Sequence, residues 1–247
     1  MRASELWLAL AAVALGVSTF GWGFYFRWKD ALHPEPTWLM AAGVGGGACS
    51  VLAAQVGYHA ADAIGASASW ELLSSGTLSE VAGVAITIGV VEETAKLLPV
   101  LAIVLFARRH FDEPLDGLVY AGCSAIGFSA VETVLLAWYQ DLAPAELFAR
   151  AVAAPLAHAM LAAPWGVGLA LTVFRRKPVA LPALFAFSCL VHGAYDVGVT
   201  SPGTGTLVSA GLILVLWVWA IRITPRLAGA APTAARRSEK SEESSRS

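Results

Sequence analysis

The stretch Val90-Val91-Glu92-Glu93-Thr94-Ala95-Lys96 places two carboxylates and a lysine inside a run that is otherwise apolar from Val81 to Phe106. This run is long enough to cross a bilayer as a helix, which takes about 20 apolar residues. A charge at mid-bilayer costs at least ~2.5–3.5 kcal/mol, so three charges together require a specific purpose. On a helix either acid can reach the lysine, because they precede it by four and three residues.

Neighbouring residues on a helix point about 100° apart, so one of Glu92 and Glu93 can pair with Lys96 while the other stays unpaired. An unpaired, desolvated carboxylate is a candidate general base. The alternative is an ion triad that only holds helices together.

The composition excludes an ordinary soluble domain. Of the 247 residues, 57% are hydrophobic and only 14% are charged, whereas soluble domains have about 25% charged residues. The net charge is −2 and the basic residues form short clusters between apolar runs, so no nucleic-acid partner is expected. Cys49, Cys123 and Cys189 fall inside the apolar runs, which favours packing over a disulfide or zinc framework.

The apolar runs predict an all-α, polytopic transmembrane bundle of about seven spans over residues 1–224, followed by a disordered tail over residues 225–247. Asp116 is expected to cap the fourth span, and Pro155 and Pro164 to make the fifth irregular. The predicted spans are Leu6–Phe26, Thr37–Ala60, Val81–Phe106, the residues from Pro114 to Trp138, Phe148–Phe174, Val179–Thr200 and Leu207–Ile223.

Basic clusters fall at alternate ends of successive spans, which predicts the orientation. Cytoplasmic loops carry the excess of Lys and Arg, so the N-terminus is expected outside and the C-terminus in the cytoplasm. The clusters are Arg27 and Lys29, Arg108 and Arg109, Arg175 to Lys177, and Arg222 and Arg226.

Further ionisable residues lie on the later spans. Phe128-x-x-x-Glu132 and His192-x-x-x-Asp196 each place two side chains on one helical face, and His158 lies between two prolines. At ~1.5 Å per residue, the four ionisable residues Glu92, Glu132, His158 and His192 fall roughly 9–17 Å from the outer ends of their spans. A shared depth predicts convergence on a cavity. Individually, His158 could instead satisfy backbone carbonyls, Asp196 could orient His192, and Phe128 could be a packing wall.

The motifs of several membrane proteases are missing. The sequence has no His-Glu-x-x-His, no Gly-x-Ser-x-Gly and no pair of intramembrane aspartates. A glutamate base with histidine partners fits the remaining residues, and a metal held by Glu92, Glu132, His158 and His192 fits them nearly as well. We favour the metal-free mechanism at this point, because the ligands lie on separate helices and Lys96 repels a cation unless Glu93 neutralises it.

In this order on successive spans, Glu92-Glu93-x-x-Lys96, Phe128-x-x-x-Glu132 and His192-x-x-x-Asp196 resemble the three signature motifs of PrsW-type intramembrane proteases. His158 and the segment from Asp116 to Gly122 strengthen the resemblance, which covers residues 81–197. This family is related to the CAAX-prenyl proteases and bacteriocin-processing enzymes.

The resemblance implies an intramembrane endopeptidase of the bacterial plasma membrane, with a protease-like core over about residues 81–200. Glu92 would activate water, Glu93 would be held by Lys96, and His192, oriented by Asp196, would stabilise the oxyanion. Glu132 occupies the position where CAAX-type relatives have a histidine. The implied partner is a membrane-anchored protein, such as an anti-sigma factor, cleaved on its extracytoplasmic side. No cofactor is required, although zinc is possible.

Two functions of other classes compete with this interpretation. A proton-coupled transporter would use the same acids and histidines as a relay, but it predicts inverted repeats, which the sequence lacks. A membrane scaffold without activity has no need of buried carboxylates.

Overall fold

The computed structural model describes residues 3–29, 34–139, 142–201 and 203–228. Regular structure in these ranges is helical, which confirms the predicted all-α class. The helices are α1 (Ala3–Lys29), α2 (Thr37–Ala63), α3 (Trp70–Ser75), α4 (Leu78–Phe106), α5 (Asp116–Tyr139), α6 (Pro144–Arg175), α7 (Ala180–Thr200) and α8 (Thr204–Ala228), with a 3₁₀ turn at Arg108–His110.

Six of the described helices, α1, α2 and α5 to α8, are long and apolar enough to cross a membrane. α4 has 29 residues and matches them in length, but it carries the three charged residues Glu92, Glu93 and Lys96 within its apolar run. The chain is therefore a multi-pass membrane protein, and α4 is the helix that brings charge into the bundle.

α4 begins at Leu78 rather than at the predicted Val81. The Glu80 carboxylate accepts hydrogen bonds from the Thr77 backbone N–H at 2.8 Å and the Thr77 hydroxyl at 2.7 Å. A threonine followed three residues later by glutamate is the capping-box pattern. This pattern was present in the sequence, and it moves the start of the helix outward from the apolar run.

The predicted cap of α5 by Asp116 is wrong. Its Oδ2 accepts the backbone N–H groups of Asp112 and Glu113 at 2.7 and 2.8 Å. An N-cap would accept N–H groups that follow it in the helix. Asp116 is instead the first residue of α5 and fixes the turn that precedes the helix.

The expected irregularity of the fifth span is also wrong. α6 is one continuous α-helix of 32 residues with Pro155 and Pro164 inside it and Pro144 in its first turn. At 1.5 Å per residue it is about 48 Å long, well beyond the ~30 Å of a hydrocarbon core. α8 likewise continues past Pro225 to Ala228, so it overlaps the start of the predicted tail. Residues 229–247 of that tail lie outside the described residues.

The core of the bundle lies around α5 and α6, which are the most buried of the membrane-length helices, whereas α1 and α8 are the most exposed. Glycines permit the close approaches that align the site. A Cβ on Gly47 of α2 would lie 1.9 Å from the Ser124 carbonyl oxygen of α5. A Cβ on Gly89 of α4 would lie 2.1 Å from the Cys189 carbonyl oxygen of α7. Small residues thus let the helix backbones approach closely at these two contacts.

Candidate active site

The paired charges of α4 are buried and unequal in their contacts. Lys96 Nζ lies 2.8 Å from Glu93 Oε1 and 3.4 Å from Glu92 Oε2. Lys96 and Glu93 are fully buried, and Glu92 is 3% exposed. Because a buried charge needs close partners, Glu93 and Lys96 form the tight pair. Glu92 takes only a weaker contact with the lysine.

Both oxygens of Glu93 have partners. The Trp165 indole Nε1–H of α6 donates to Oε2 at 2.7 Å, and His192 Nδ1 of α7 lies 2.5 Å from Oε1. Glu93 therefore joins three helices and fixes the ring of His192. With Nδ1 directed to Glu93, Nε2 of His192 turns toward the centre of the site.

Glu92 has one oxygen anchored and the other directed at the imidazoles. The Tyr58 hydroxyl of α2 donates to Oε1 at 2.7 Å. Oε2 lies 3.5 Å from His192 Nε2 and 4.0 Å from His158 Nδ1. Side chains from α4, α6 and α7 thus present three possible ligand atoms to one small volume.

His158 is set between two carboxylates. Its Nε2 lies 3.0 Å from Glu132 Oε2 of α5, and Arg150 lies 3.8 Å from the other Glu132 oxygen. Its buried Nδ1 has no hydrogen-bond partner and faces Glu92. Since a buried polar atom without a partner is costly, this nitrogen is a candidate to bind a ligand.

A metal ion fits these residues. One ligand atom each from Glu92, His158 and His192 lies within 4.8 Å of the others. Tetrahedral zinc bound at ~2.0–2.2 Å holds its ligands roughly 3.4 Å apart, close to the 3.5 and 4.0 Å measured here. Metal-binding histidines commonly direct their second nitrogen to a carboxylate, and Glu93 and Glu132 hold those positions. Glu132, a possible ligand by sequence, lies behind His158 rather than in this group.

Asp196, which the resemblance implied as the residue that orients His192, lies beside this ring without a hydrogen bond to it. Its Oδ2 lies 3.6 Å from His192 Nε2, beyond hydrogen-bond distance, and is buried with no hydrogen-bond partner. The ring is held from its other side by Glu93. Asp196 therefore lies beside the ligand group with an acceptor oxygen available.

All seven site residues predicted from the sequence come together. Phe128, expected to be a packing wall, lies under the Lys96 ammonium at 4.7 Å and beside the His158 ring at 5.9 Å. The predicted residues are Glu92, Glu93, Lys96, Glu132, His158, His192 and Asp196.

Sequence reasoning missed three residues of this site: Tyr58, Trp165 and Arg150. Tyr58 and Trp165 are aromatic residues within apolar helices, where their polar atoms add nothing to the hydropathy pattern. Arg150 lies near the start of the predicted fifth span, and the structure places it on the second turn of α6, which begins at Pro144. The helical spacing of Arg150 and His158 could have shown that both approach Glu132.

A second group of acids lies where the chain enters α2 and α5. Glu35, Asp112 and Asp116 each bring an oxygen within 4.8 Å of the others, and the Tyr120 hydroxyl donates to Glu35. Burial raises the pKa of the Glu35 carboxyl above its ordinary value. This group contains Asp116, the first residue of the segment that strengthened the resemblance.

A bundle of membrane-length helices around a buried set of glutamates and histidines defines a class: multi-pass membrane proteins with a possible metal centre inside the bundle. Residues 35–222 match the family model described as PrsW family intramembrane metalloprotease. The chain belongs to this family. The match includes α2 and most of α8, which the resemblance in residues 81–197 had left outside.

Named relatives agree with this assignment. Protease PrsW of Oceanobacillus iheyensis is 29% identical over 124 residues, which cover 49% of this chain and 57% of the relative. Protease PrsW of Bacillus subtilis is 27% identical over 137 residues, 54% of this chain and 62% of the relative. Protease PrsW of Clostridioides difficile is 32% identical over 116 residues, 44% of this chain and 48% of the relative. The chain matches about half the length of these relatives, and no solved structure matches it significantly.

Proposed function

We propose that the protein is an intramembrane endopeptidase that hydrolyses a peptide bond at the Glu92–His158–His192 group. The observation that carries the proposal is the meeting of three ligand atoms from α4, α6 and α7, with carboxylates directed at the far nitrogens of both histidines. Family membership supports a protease, and the burial of the site in the bundle supports an intramembrane substrate.

We propose further that the group holds a divalent metal such as zinc, with Glu92, His158 and His192 as ligands. When bound, such a metal supplies Lewis acidity, which activates water near neutral pH and polarises a carbonyl oxygen. Two observations support a metal against the objections that the sequence raised. The ligands lie on separate helices yet converge, and Lys96 is neutralised by Glu93 at 2.8 Å.

The chain's own residues then have distinct tasks. Glu93 fixes the His192 ring through its contact with Nδ1, and the Glu132 carboxylate positions the His158 ring from 3.0 Å beyond Nε2. Tyr58 fixes the Glu92 carboxylate. Asp196 Oδ2, which has no hydrogen-bond partner, takes the proton of the attacking water and passes it to the leaving amine. Burial excludes bulk water and strengthens these contacts.

In the metal-free alternative, Glu92 itself takes the proton of the attacking water, and His192 stabilises the oxyanion. The two mechanisms differ in what Asp196→Asn does. In the metal-dependent mechanism this variant keeps the metal and loses turnover by about 10²–10⁴-fold. In the metal-free mechanism Asp196 contacts no reacting atom, and turnover is expected to stay within about tenfold.

Proteolysis in a defined membrane tests the function. The full chain is reconstituted into liposomes with a single-span substrate tagged at both ends, and the products are followed by mass spectrometry. Wild type and the exposed α3 control Glu71→Gln are expected to cleave within or beside the span, whereas Glu92→Gln leaves the substrate intact. Cleavage that is equal in Glu92→Gln and wild type would refute the assignment of this site.

We propose cleavage near the extracytoplasmic side of a membrane-anchored protein of the anti-sigma-factor kind, from the alternation of basic clusters and the resemblance. Single cysteines at Ser74 and Ser244, placed in a cysteine-free background, report the sides of α3 and the tail. A membrane-impermeant reagent added to intact cells is expected to label position 74 and leave position 244 unlabelled. Labelling of both positions would reject the orientation.

A further inference from the structure

A cavity of about 240 Å³ lies between the last turns of α6 and α8. It is remote from the proposed active site, because Arg175 follows His158 by 17 residues on α6, roughly 26 Å along the helix. The walls are apolar, with Leu171, Ile223 and Leu227 among them, and three cations border it. No described carboxylate lines the cavity. The bordering cations are Arg175, Lys177 and Arg226.

Backbone contacts just beyond the end of α6 hold Lys177 in place. Arg176 adopts a left-handed conformation with φ of 51° and ends the helix. The Lys177 backbone N–H then donates to the Leu171 carbonyl at 3.2 Å, and the Thr172 hydroxyl donates to the Lys177 carbonyl at 3.1 Å. Lys177 therefore lies at the rim of the cavity as part of a capped helix end.

We propose that this cavity binds the phosphate headgroup of an acidic phospholipid. Three cations without a bordering carboxylate favour an anion, and the apolar walls favour one that is attached to acyl chains. Basic pockets between membrane helices bind such headgroups. The cavity is smaller than the about 300–1,000 Å³ of pockets for drug-sized ligands, so it takes a headgroup and leaves the chains outside. Val208 and Val215 are exposed apolar side chains on the face of α8 that carries Arg226, and they offer the acyl chains a surface.

Lipid binding to the purified full chain tests this proposal. Phosphatidylglycerol is titrated into the protein in a neutral detergent, and bound lipids are counted by native mass spectrometry. Phosphatidylcholine and inorganic phosphate serve as comparison ligands. One tightly bound phosphatidylglycerol is expected, with binding of either comparison ligand at least about tenfold weaker.

The decisive variant is Arg175→Gln with Lys177→Gln and Arg226→Gln. Each cation near an acidic headgroup is worth about fivefold in affinity, so binding is expected to weaken on the order of a hundredfold. The matched control Arg108→Gln with Arg109→Gln and Arg222→Gln removes the same charge from exposed residues outside the cavity. It is expected to stay within about threefold of wild type.

Ile223→Trp keeps every charge and fills the cavity, so it tests the proposed headgroup site even if the triple variant does not fold. A loss of at least about tenfold supports the site, because a filled cavity excludes the headgroup. Equal losses in the triple variant and its control would overturn the proposal in favour of general surface attraction. Equal affinity for phosphatidylcholine, or for inorganic phosphate, would overturn it as well.

Discussion

Two groups in this bundle each bring three possible ligand atoms within 4.8 Å of one another, yet they differ in what surrounds those atoms. Around Glu92, two imidazoles direct nitrogens inward, and one of those nitrogens has no partner. Around Asp116, Glu35 accepts from Tyr120 and one Asp116 oxygen accepts two backbone N–H groups. We interpret the first group as a reactive centre and the second as a structural junction. Proximity of possible ligand atoms does not distinguish these roles, whereas the two inward-facing imidazole nitrogens of the first group do.

The largest expected effect is that of Glu92→Gln. Turnover is expected to fall at least ~10³-fold, and zinc binding to fall with it, because one of three ligands is lost. The Glu93–Lys96 pair remains, so thermal stability should stay near wild type. Peptidase assays, elemental analysis and melting of the same preparation measure all three. A Glu92→Gln protein that unfolds while Glu93→Gln stays folded would show that the two roles are reversed.

The next effect concerns Glu93 and Lys96, which hold the centre together. Glu93→Gln or Lys96→Met strands a buried charge at a cost of ~3–5 kcal/mol. Thermal melting and the amount of folded protein in the membrane are expected to fall clearly below those of Glu92→Gln, which is the matched control for burial. A stable Lys96→Met protein would mean that the ion pair contributes little to the fold.

The sequence could predict those parts of this centre that depend on the spacing of residues along a helix. Glu92 and Lys96, and likewise His192 and Asp196, lie i and i+4 on one face, so their convergence could be foreseen. Spacing does not say which ring nitrogen faces inward. The orientation of the ring depends on the contact between Glu93 and His192 Nδ1, which lie on different helices. Because spacing could not show this contact, the sequence left the choice between a metal and a metal-free mechanism open.

The second group escaped prediction for a related reason. Glu35 lies just before α2, so no helical periodicity predicts the direction of its side chain. Its partner Tyr120 lies 85 positions further along the chain. Asp116 was correctly located at the start of a helix, but local rules treat such an aspartate as a cap. Its actual partners precede it, because the turn at Asp112 and Glu113 folds back over the helix end.

Tyr58→Phe is expected to have an intermediate effect. It removes the hydrogen bond that fixes Glu92 Oε1 and leaves the ring in place, so activity or zinc affinity should fall about 10–100-fold, as for other partners of metal ligands. Tyr139→Phe, on an exposed tyrosine at the end of α5, is the control and should match wild type. Unchanged kinetics in Tyr58→Phe would show that Glu92 needs no anchoring from α2.

The smallest expected effect is that of a substitution in the second group, which consists of Glu35, Asp112 and Asp116. Glu35→Gln is expected to leave peptidase activity unchanged. The pKa of Glu35 is raised by burial above its ordinary value of 4.5, so the folded state favours the protonated carboxyl. The stability this gives is complete below pH about 4.5 and is lost as pH rises through the folded-state pKa.

The amide of Glu35→Gln has no proton to lose, so this variant is expected to gain melting temperature over wild type as pH rises from 5 to 9. Glu71→Gln, on exposed α3, should show no such trend. A difference between Glu35→Gln and wild type that is constant with pH would rule out titration of Glu35 as its cause.

The central claim is that Glu92, His158 and His192 form a metal-dependent peptidase centre, and metal removal tests it most directly. The full chain is purified in detergent, its zinc is measured by elemental analysis, and proteolysis is assayed before stripping, after stripping and after zinc is restored. The account predicts about one zinc per chain, activity that vanishes on stripping, and recovery at near-stoichiometric zinc, with His158→Gln binding none. Full activity in protein shown to be free of metal would contradict it and return the role of general base to Glu92.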